Sequence, residues 1–166
     1  MKRRHNVFIG IGSNIGNAKK NCQRGINALK RKKEIDFVQC SLFYQTKPIG
    51  GPGQPLFVNC VAEIKTTLLP SSLLAYLKKL ETKMGRVKTV QWGPRIIDFD
   101  ILFFGDLIID TINLKVPHSL CHERRFVLEP MGEIAPNLIH PVLNKSIREL
   151  KNHIASAQKE VKIYKE

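Results

Sequence analysis

The sequence predicts an α+β fold, in which helices pack on a mostly antiparallel sheet. Segments of alternating apolar and polar residues, typical of half-buried strands, recur along the chain and are separated by two segments of helical periodicity. The order strand, helix, strand occurs twice, with a Gly- and Pro-rich loop over residues 47–55 between the copies. This order favours a sandwich of ferredoxin-like type. The chain of 166 residues suits a single domain, 1–166, with one core.

The first half of the chain contains one predicted helix and three predicted strands. Residues 6–12 form the first strand, and residues 18–31 form a helix that Asn17 caps. Residues 35–46 form a long alternating strand, and residues 56–66 form another. The side chains predicted to face inward are Ala18, Cys22, Ile26 and Leu29 on the helix, Val38, Cys40, Leu42 and Tyr44 on the second strand, and Leu56, Val58, Cys60, Ala62 and Ile64 on the third.

The second half begins with a helix that opens at Pro70 and stops at Gly85. A turn at Gly105–Asp106 then separates a strand that carries two aspartates from a short strand over 107–109. Further helical segments are predicted near 122–132 and 146–157. The buried stripe of the helix at Pro70 is predicted to be Leu73, Leu74, Leu77, Leu80 and Met84.

Asp98 and Asp100 share one face of their strand, because successive strand side chains point to opposite faces. Two carboxylates about 7 Å apart repel by roughly 2–3 kcal/mol at an effective dielectric constant of ~20, so a positive group is expected between them. Mg²⁺ that bridges phosphates suits this pair. The alternative is a solvated pair on a half-exposed strand. The other face, predicted to be buried, carries Ile97, Phe99, Ile101 and Phe103.

The loop over residues 85–95, which precedes this strand, carries three cations and an aromatic residue. Arg86, Lys88 and Arg95 could supply the positive charge that the aspartates need. Trp92, next to a rigid Gly-Pro turn and an arginine, is hard to explain by packing alone, and it counts against the solvated-pair alternative.

The composition favours an anionic partner, because the net charge is +13 and the pI is near 9.8. The basic residues are scattered, without an RNP motif or a dense stripe, so nucleic-acid binding is the weaker hypothesis. The four cysteines show no C-x-x-C, which indicates neither zinc nor a disulfide framework and predicts reduced thiols in the cytoplasm. No signal peptide or membrane span is predicted.

Two glycine and histidine patterns have ordinary alternatives. Gly10, Gly12 and Gly16 follow one another with a spacing one residue too long for a dinucleotide-binding turn, so a tight turn is favoured. His118 and His122 stand four apart, but Pro117 and a missing third ligand count against a metal site. His118 could contact a phosphate together with Arg124, or it could be a surface histidine.

Several polar and aromatic side chains could hold a flat heterocycle. Phe57 and Asn59 alternate away from the core beside the 47–55 loop, and Tyr44 and Thr46 end the preceding strand. Each of these side chains is equally common, without any role in binding, on a sheet that is covered on one face only. Trp92 and Phe126 could complete a stacking site if the fold brings them together.

Five segments together resemble one family, the 6-hydroxymethyl-7,8-dihydropterin pyrophosphokinases of folate biosynthesis. They cover about residues 7–140 in the expected order: IGSNIG, FYQTKPIGGPGQPLFVN, GRVKTVQWGPRIIDFDIL, VPHSLCHERRFVLEP and EIAP. The resemblance implies a ferredoxin-like α+β fold. It also implies that the hydroxymethyl oxygen of the pterin attacks the β-phosphorus of ATP, and that AMP leaves.

The resemblance also implies roles for individual residues. Asp98 and Asp100 would hold two Mg²⁺ ions, while Arg86 and Arg95 would steady the transferring phosphates and Trp92 would close over the site. The implied pterin contacts are Thr46, Lys47, Ile49, Phe57, Asn59, Trp92 and Phe126. The implied ATP contacts are Lys78, Lys88, Trp92, Ile101, Lys115, His118, Ser119 and Arg124.

The chain departs from the family pattern at several positions. The loop from Arg86 to Trp92 is one residue shorter than usual, and Lys78 and Asn113 stand at nucleotide-side positions where other residue types are common. Gln91 stands where a basic residue is usual, and Lys88 would compensate; Phe99 replaces an aliphatic residue, and Phe57 replaces a frequent tyrosine. ATP with Mg²⁺ is expected to bind first and to order residues 47–55 and 85–95.

The expected partners are ATP and the pterin, with no nucleic acid and no membrane. A monomer that associates weakly with dihydropteroate synthase is expected. The alternative functions are a ferredoxin-like nucleic-acid-binding domain of RRM type and a small ligand-binding regulatory domain.

Overall fold

A computed structural model of the chain describes residues 3–49, 53–88, 90–154 and 161–165. Within these residues the main sheet has six strands, in the order β5-β1-β4-β3-β8, and β2 also pairs with β4. All pairings are antiparallel, and helices cover the sheet, so the predicted α+β fold is confirmed. The strands are β1 (His5–Ser13), β2 (Ile35–Cys40), β3 (Tyr44–Thr46), β4 (Phe57–Thr66), β5 (Asp98–Phe104), β6 (Ile109–Asp110), β7 (Lys115–Val116) and β8 (Val161–Ile163).

Four α-helices and one 3₁₀ turn are described. They are α1 (Ala18–Arg31), α2 (Pro70–Lys83), the 3₁₀ turn Cys121–Glu123, α3 (Arg125–Ile134) and α4 (Ile147–His153). The Asn17 side chain accepts the Lys20 N–H at 2.9 Å, which confirms the predicted cap. The segment predicted as one helix near 122–132 is a 3₁₀ turn followed by α3. Of the segment 146–157, α4 covers 147–153, and residues 155–160 lie outside the described residues.

Apolar residues form one core on each face of the sheet. The core under α1 and α2 contains Val7, Ile9, Ile11, Cys22, Ile26, Leu29, Val58, Cys60, Ala62, Ile64, Leu73, Leu77, Leu80, Ile97, Phe99 and Ile101. The core under α3 and α4 contains Phe8, Val61, Leu102, Phe103, Cys121, Val127, Leu128, Met131, Ile147 and Leu150. Helix stripes predicted from 3.6-residue periodicity are therefore largely confirmed, with Ala18 and Leu74 only partly buried.

A bulge in β5 overturns the predicted position of Phe103. Ile9 pairs with Ile101 but Phe8 pairs with Phe103, so Leu102 is an extra residue in the ladder. Phe103 therefore faces the core under α3 and α4, together with Leu102. Phe104 occupies the position on the opposite face that was predicted for Phe103.

The predicted strand over 35–46 is also wrong as a single element. It ends at Cys40 and resumes as β3 at Tyr44, and its register with β4 shifts between Phe37 and Gln39. As a result Val38 is 46% exposed and Leu42 is 53% exposed, although both were predicted to face inward. Leu56, also predicted to be buried, precedes β4 and is 45% exposed.

A second, two-stranded sheet and one edge strand of the main sheet were not predicted by the sequence patterns. β6 and β7 form a small antiparallel pair where one short strand over 107–109 was expected. β8 lies on the outer side of β3, and the Tyr164 N–H donates to the Phe43 carbonyl at 2.8 Å. Among the described residues, no helix is long and apolar enough to cross a membrane.

Candidate functional site

A pocket opens at the end of β1, where β4 and β5 pair with it from either side. In the ladders Gly12 lies opposite both Asn59 and Asp98, and Gly10 lies opposite Asp100. A Cβ at Gly12 would lie 2.6 Å from Asn59 Oδ1, so only glycine leaves room for this amide. Because β1 runs from His5 to Ser13, Gly10 and Gly12 belong to a strand. The predicted tight turn is confined to Gly16, whose φ is +62°.

The pocket gathers most of the residues expected at the site. Its lining includes Thr46, Lys47, Ile49, Phe57, Asn59, Trp92, Arg95, Asp98, Asp100, Arg124 and Phe126. Arg86 and Lys88 line an adjoining depression with Trp92 and Arg95. Lys78 lies in a separate groove, between the start of α2 and the β6–β7 pair, which Asn113 also lines.

The remaining predicted nucleotide contacts lie outside these pockets. The Ile101 side chain is buried in the core under α1 and α2, so only its backbone can face a nucleotide. Lys115 pairs with Asp110 at 2.9 Å on the exposed β6–β7 pair. His118 is half-buried and Ser119 is exposed, in the turn before α3. Burial lowers the pKa of His118, and the nearby positive charge of Arg124 lowers it further, so the ring is neutral at pH 7.

Two guanidinium groups supply the positive charge expected beside the aspartates. Arg86 Nη1 lies 2.5 Å from Asp98 Oδ1, and Arg95 Nη1 lies 2.8 Å from Asp98 Oδ2. Both ion pairs are largely shielded from water, because the side chains of the two arginines are about a quarter exposed, at 27% and 22%. The charge of Asp98 is thus neutralised within the protein itself.

Asp100 forms no such ion pair within the described part of the chain. Burial and the negative charge of Asp98 together raise the pKa of its carboxyl to about 6, against the opposing effects of Lys78, Arg124 and Arg95. A carboxyl in this state gains most from a cation that binds its ionised form. Asp98 and Asp100 are thus the oxygen donors of this pocket that could hold a hard divalent metal.

Glu81 is a site residue that sequence reasoning missed. It is 3% exposed on α2, where its Oε1 accepts the Phe99 N–H at 2.8 Å and its Oε2 lies 2.7 Å from Arg86 Nη1. Phe99 stands between the two aspartates, so Glu81 fixes both the strand that carries them and one arginine that binds them. Burial raises the pKa of Glu81. A carboxylate beside Leu80, within an otherwise apolar stripe, was the signal that could have revealed it.

Asn14 is a second residue that was missed. Its side chain is buried, donates to Gln54 Oε1 and to the Pro55 carbonyl at 3.2 Å each, and accepts the Arg95 N–H at 2.8 Å. Gln54 Nε2 in turn donates to the Trp92 carbonyl at 3.0 Å. One amide thus ties the 47–55 loop to the 85–95 loop.

The polar wall of the pocket is fixed by a buried hydrogen bond. Asn59 Nδ2 donates to Thr46 Oγ1 at 2.8 Å, and Tyr44 stands opposite Asn59 in the ladder. Tyr44 itself points away to donate to Glu133 Oε2 at 2.8 Å. The orientation of the Asn59 amide is therefore set before any ligand arrives.

Arg124 lies against the two aromatic rings predicted to form a stacking site. Its Cζ is 5.5 Å from the ring centroid of Trp92 and 5.6 Å from that of Phe126. Burial lowers the pKa of Arg124, which stays protonated, and Asp100 and Asp98 oppose the shift. The fold has thus brought Trp92 and Phe126 to one cation that also feels both aspartates.

Sequence comparison finds close relatives. A family model described as 7,8-dihydro-6-hydroxymethylpterin-pyrophosphokinase (HPPK) matches residues 8–136. The 2-amino-4-hydroxy-6-hydroxymethyldihydropteridine pyrophosphokinases of Aquifex aeolicus and Pseudomonas aeruginosa are each 41% identical. The alignments cover 87% of this chain and 89% of the Aquifex protein, and 81% of this chain and 83% of the Pseudomonas protein.

Some relatives are much longer. The folic acid synthesis protein FOL1 of Dictyostelium discoideum is 41% identical over 87% of this chain, but the match spans only 22% of that protein. Among solved structures, wild-type Plasmodium falciparum HPPK-DHPS with pteroate superposes with a TM-score of 0.73 and 18% identity, over 92% of this chain and 42% of the Plasmodium chain. At that identity the superposition supports the fold.

Proposed function

Because the chain belongs to the 7,8-dihydro-6-hydroxymethylpterin-pyrophosphokinase family, we propose that it transfers pyrophosphate from ATP to the hydroxymethyl group of 6-hydroxymethyl-7,8-dihydropterin. The observation that carries this function is a single pocket with two ends. One end has aromatic rings and a buried amide, and the other has two aspartates with their arginines. A flat heterocycle and a triphosphate could bind there side by side. The comparisons give no support to the nucleic-acid-binding alternative.

The pterin would bind at the end formed by β3 and β4. Phe57 and Phe126 offer aromatic faces to its fused rings. Asn59, held by Thr46, presents its amide to the edge of a ring that carries both donors and acceptors. A buried amide that loses its partner is costly, so the wrong heterocycle is rejected.

Asp98 and Asp100 would hold two Mg²⁺ ions together with phosphate oxygens of ATP. Two features support this: the donors are carboxylate oxygens, and burial together with the negative charge of Asp98 raises the pKa of the Asp100 carboxyl to about 6. When bound, magnesium would supply charge neutralisation at the attacking and leaving oxygens.

Arg86 and Arg95 would exchange partners during the reaction. In this structure both bind Asp98, and they would turn to the phosphates of ATP when Asp98 binds elsewhere. There they would stabilise charge while the hydroxymethyl oxygen forms a bond to the β-phosphorus and gives up its proton, which is released with the products. The bond from that phosphorus to the oxygen bridging to the α-phosphorus breaks, and AMP leaves.

The nucleotide would extend from the aspartates towards His118, Ser119, Arg124 and the groove that Lys78 lines. Lys115 and Lys88 are exposed cations near this path, and Ile101 would offer its backbone. ATP would bind first, and the 47–55 and 85–95 loops, joined through Asn14, would then close as one unit. Closure would exclude water that could otherwise hydrolyse ATP.

We further propose that residues 1–166 act as a single-domain, monomeric enzyme in the cytoplasm, where its four free thiols stay reduced. Weak association with a dihydropteroate synthase is suggested by structural neighbours that carry HPPK-DHPS in one chain.

The test mixes the protein with ATP, Mg²⁺ and 6-hydroxymethyl-7,8-dihydropterin and separates the nucleotides. Pterin-dependent AMP, formed in equal amount with the pterin diphosphate, is the expected result. ADP instead of AMP would identify a kinase that transfers one phosphoryl group. Salt-sensitive RNA binding without any AMP would restore the nucleic-acid alternative.

A further inference from the structure

Cys121, His122 and His140 form a cluster outside the pocket that Asp98 and Asp100 line. Each offers one ligand atom, and the three atoms all lie within 4.8 Å of one another. Cys121 and His140 are buried, and the two imidazole centroids are 5.8 Å apart with nearly perpendicular rings. The sequence pattern did not reveal this cluster, because His140 joins it from the segment between α3 and α4.

His122 is oriented as a metal ligand would be. Its Nδ1 is buried and makes no hydrogen bond within the described residues. Its Nε2 lies 3.4 Å from Glu123 Oε1. Histidines that bind metals typically direct one nitrogen at the ion and donate the other N–H to a carboxylate, which fixes the tautomer and the ring.

We propose that Cys121, His122 and His140 bind one Zn²⁺ ion, with a water molecule as the fourth ligand. One thiolate and two imidazoles are donors that zinc favours, and the partial exposure of His122 leaves room for water. On binding, the Cys121 thiol releases its proton to solvent as the Zn–S bond forms.

The cluster needs only a small contraction to hold the ion. Zn–S and Zn–N distances of about 2.3 and 2.0–2.1 Å place tetrahedral ligand atoms about 3.3–3.6 Å apart. Atoms now within 4.8 Å of one another must therefore approach by at most about 1.5 Å.

The hydrogen bonds of His140 indicate which backbone groups must move when the ion binds. Its Nδ1 accepts the N–H groups of Val142 and Leu143 at 3.3 and 3.2 Å, so Nε2 carries the proton in the metal-free protein. Ligation through Nε2 moves that proton to Nδ1 and breaks both long hydrogen bonds. The backbone bond from the His140 N–H to the Lys145 carbonyl, at 2.9 Å, is unaffected.

The ion would tie together two segments that are distant in the chain. Cys121 and His122 lie in the turn between His118 and Arg124, and His140 belongs to the turn before α4. Zinc would therefore stabilise the segment that carries His118 and Arg124, of which Arg124 lines the pocket.

Cobalt(II) is the spectroscopic probe for this site. The full chain, freed of metal with a chelator and kept in excess Mg²⁺ to occupy the aspartates, is titrated with Co²⁺. One equivalent should give visible bands of tetrahedral cobalt and a near-ultraviolet thiolate-to-cobalt charge-transfer band, which one equivalent of Zn²⁺ then removes. In the ¹⁵N-labelled protein, Zn²⁺ should shift the amide signals of Val142 and Leu143.

Matched variants separate this cluster from other thiols and imidazoles. Cys121→Ser should abolish the charge-transfer band, while Cys40→Ser should leave it. His122→Ala should weaken Co²⁺ binding, while His153→Asn, at an exposed histidine, should not. Glu123→Gln should weaken affinity roughly 10–100-fold, as loss of a carboxylate behind a ligand does.

The proposal is overturned if wild-type protein shows no charge-transfer band, or if the band survives Cys121→Ser. If Cys121→Ser fails to fold by circular dichroism, the partly exposed His122→Ala decides, and unchanged cobalt affinity in that variant rejects the site. Zn²⁺ should also raise the melting temperature of wild type and not that of His122→Ala.

Discussion

The two ends of the pocket are prepared for their ligands in different ways. At the end formed by β3 and β4, Asn59 and Thr46 are buried and hydrogen-bonded to each other, and the strands hold them in place. At the other end, Arg86 and Arg95 bind Asp98, so groups proposed to act on phosphates neutralise one another. The heterocycle end is therefore preformed, whereas the phosphate end must exchange ion pairs before it can work. Substitutions at the two ends should fail differently.

The largest effect is expected for Asp100→Asn, which removes a charge that no other group at the phosphate end can replace. We expect turnover to fall by about 10³-fold or more, with an unchanged circular dichroism spectrum. Steady-state AMP release measures it. Asp36→Asn, which removes an exposed carboxylate paired with Arg4, is the control and should keep full activity. Turnover near the wild-type rate in Asp100→Asn would refute the metal assignment.

Arg95→Ala should lower kcat by roughly 10²–10³-fold and weaken the binding of a non-hydrolysable ATP analogue far less. The reason is that Arg95 starts on Asp98 and gains its phosphate partner only during the reaction. Calorimetry and single-turnover rates give the two numbers. Arg148→Ala, on the exposed side of α4, is the control. Equal losses in affinity and rate would mean that Arg95 only binds ATP.

Asn59→Ala tests the preformed end. The dissociation constant of the pterin should rise about 10–100-fold, because the ligand's polar edge loses a buried partner, while affinity for the ATP analogue stays the same. Thr46→Val should have a smaller effect of the same kind, and Thr46→Ser should have none, since it keeps the hydroxyl that accepts from Asn59. If Asn59→Ala weakened both ligands equally, the two ends would not be independent.

Acid should weaken the phosphate end selectively. Asp100 has a pKa of about 6, so its carboxyl takes up a proton as the pH falls through that value, and affinity for the Mg²⁺–ATP analogue should fall with it. The stability of the ligand-free protein should change in the opposite direction. Because the pKa of Asp100 is higher in the folded than in the unfolded protein, the free energy of unfolding falls as the pH rises from the ordinary pKa of an aspartate to about 6. Asp98→Asn should move the binding inflection to lower pH, since it removes a negative neighbour. Calorimetry across this range measures the shift, and an unmoved inflection would assign it to another group.

The smallest effect is expected at the contact between Arg124 and Trp92. Trp92 is the one tryptophan in the sequence, so its fluorescence reports this contact directly. Arg124→Gln should change the emission of the free protein while costing only about 0.5–1 kcal/mol of stability. Addition of the ATP analogue should change wild-type emission, because the phosphates attract Arg124, and should leave Arg124→Gln nearly unchanged. Equal responses in both proteins would place the change in the loop rather than in Arg124.

Local patterns predicted a large part of this site. Strand alternation placed Asp98 and Asp100 on one face, and the same rule placed Phe57 and Asn59 away from the core under α1 and α2. The rule failed where one extra residue entered a ladder, at Leu102, because a single bulge moves every later side chain to the other face. It also failed at Val38 and Leu42, where the strand bends out of register.

Local patterns along the chain were enough to predict the fold class, the helix boundaries at Asn17 and Gly85, and the common face of the two aspartates. All of these depend on neighbours within a few residues. Long-range packing was needed to show that Arg86 and Arg95 share Asp98, that Glu81 holds Phe99, that Asn14 joins two loops, and that His140 lies beside Cys121. Periodicity fixes only the direction of a side chain relative to its own backbone. Which distant side chain it meets depends on the register of the sheet and on the packing of helices against it.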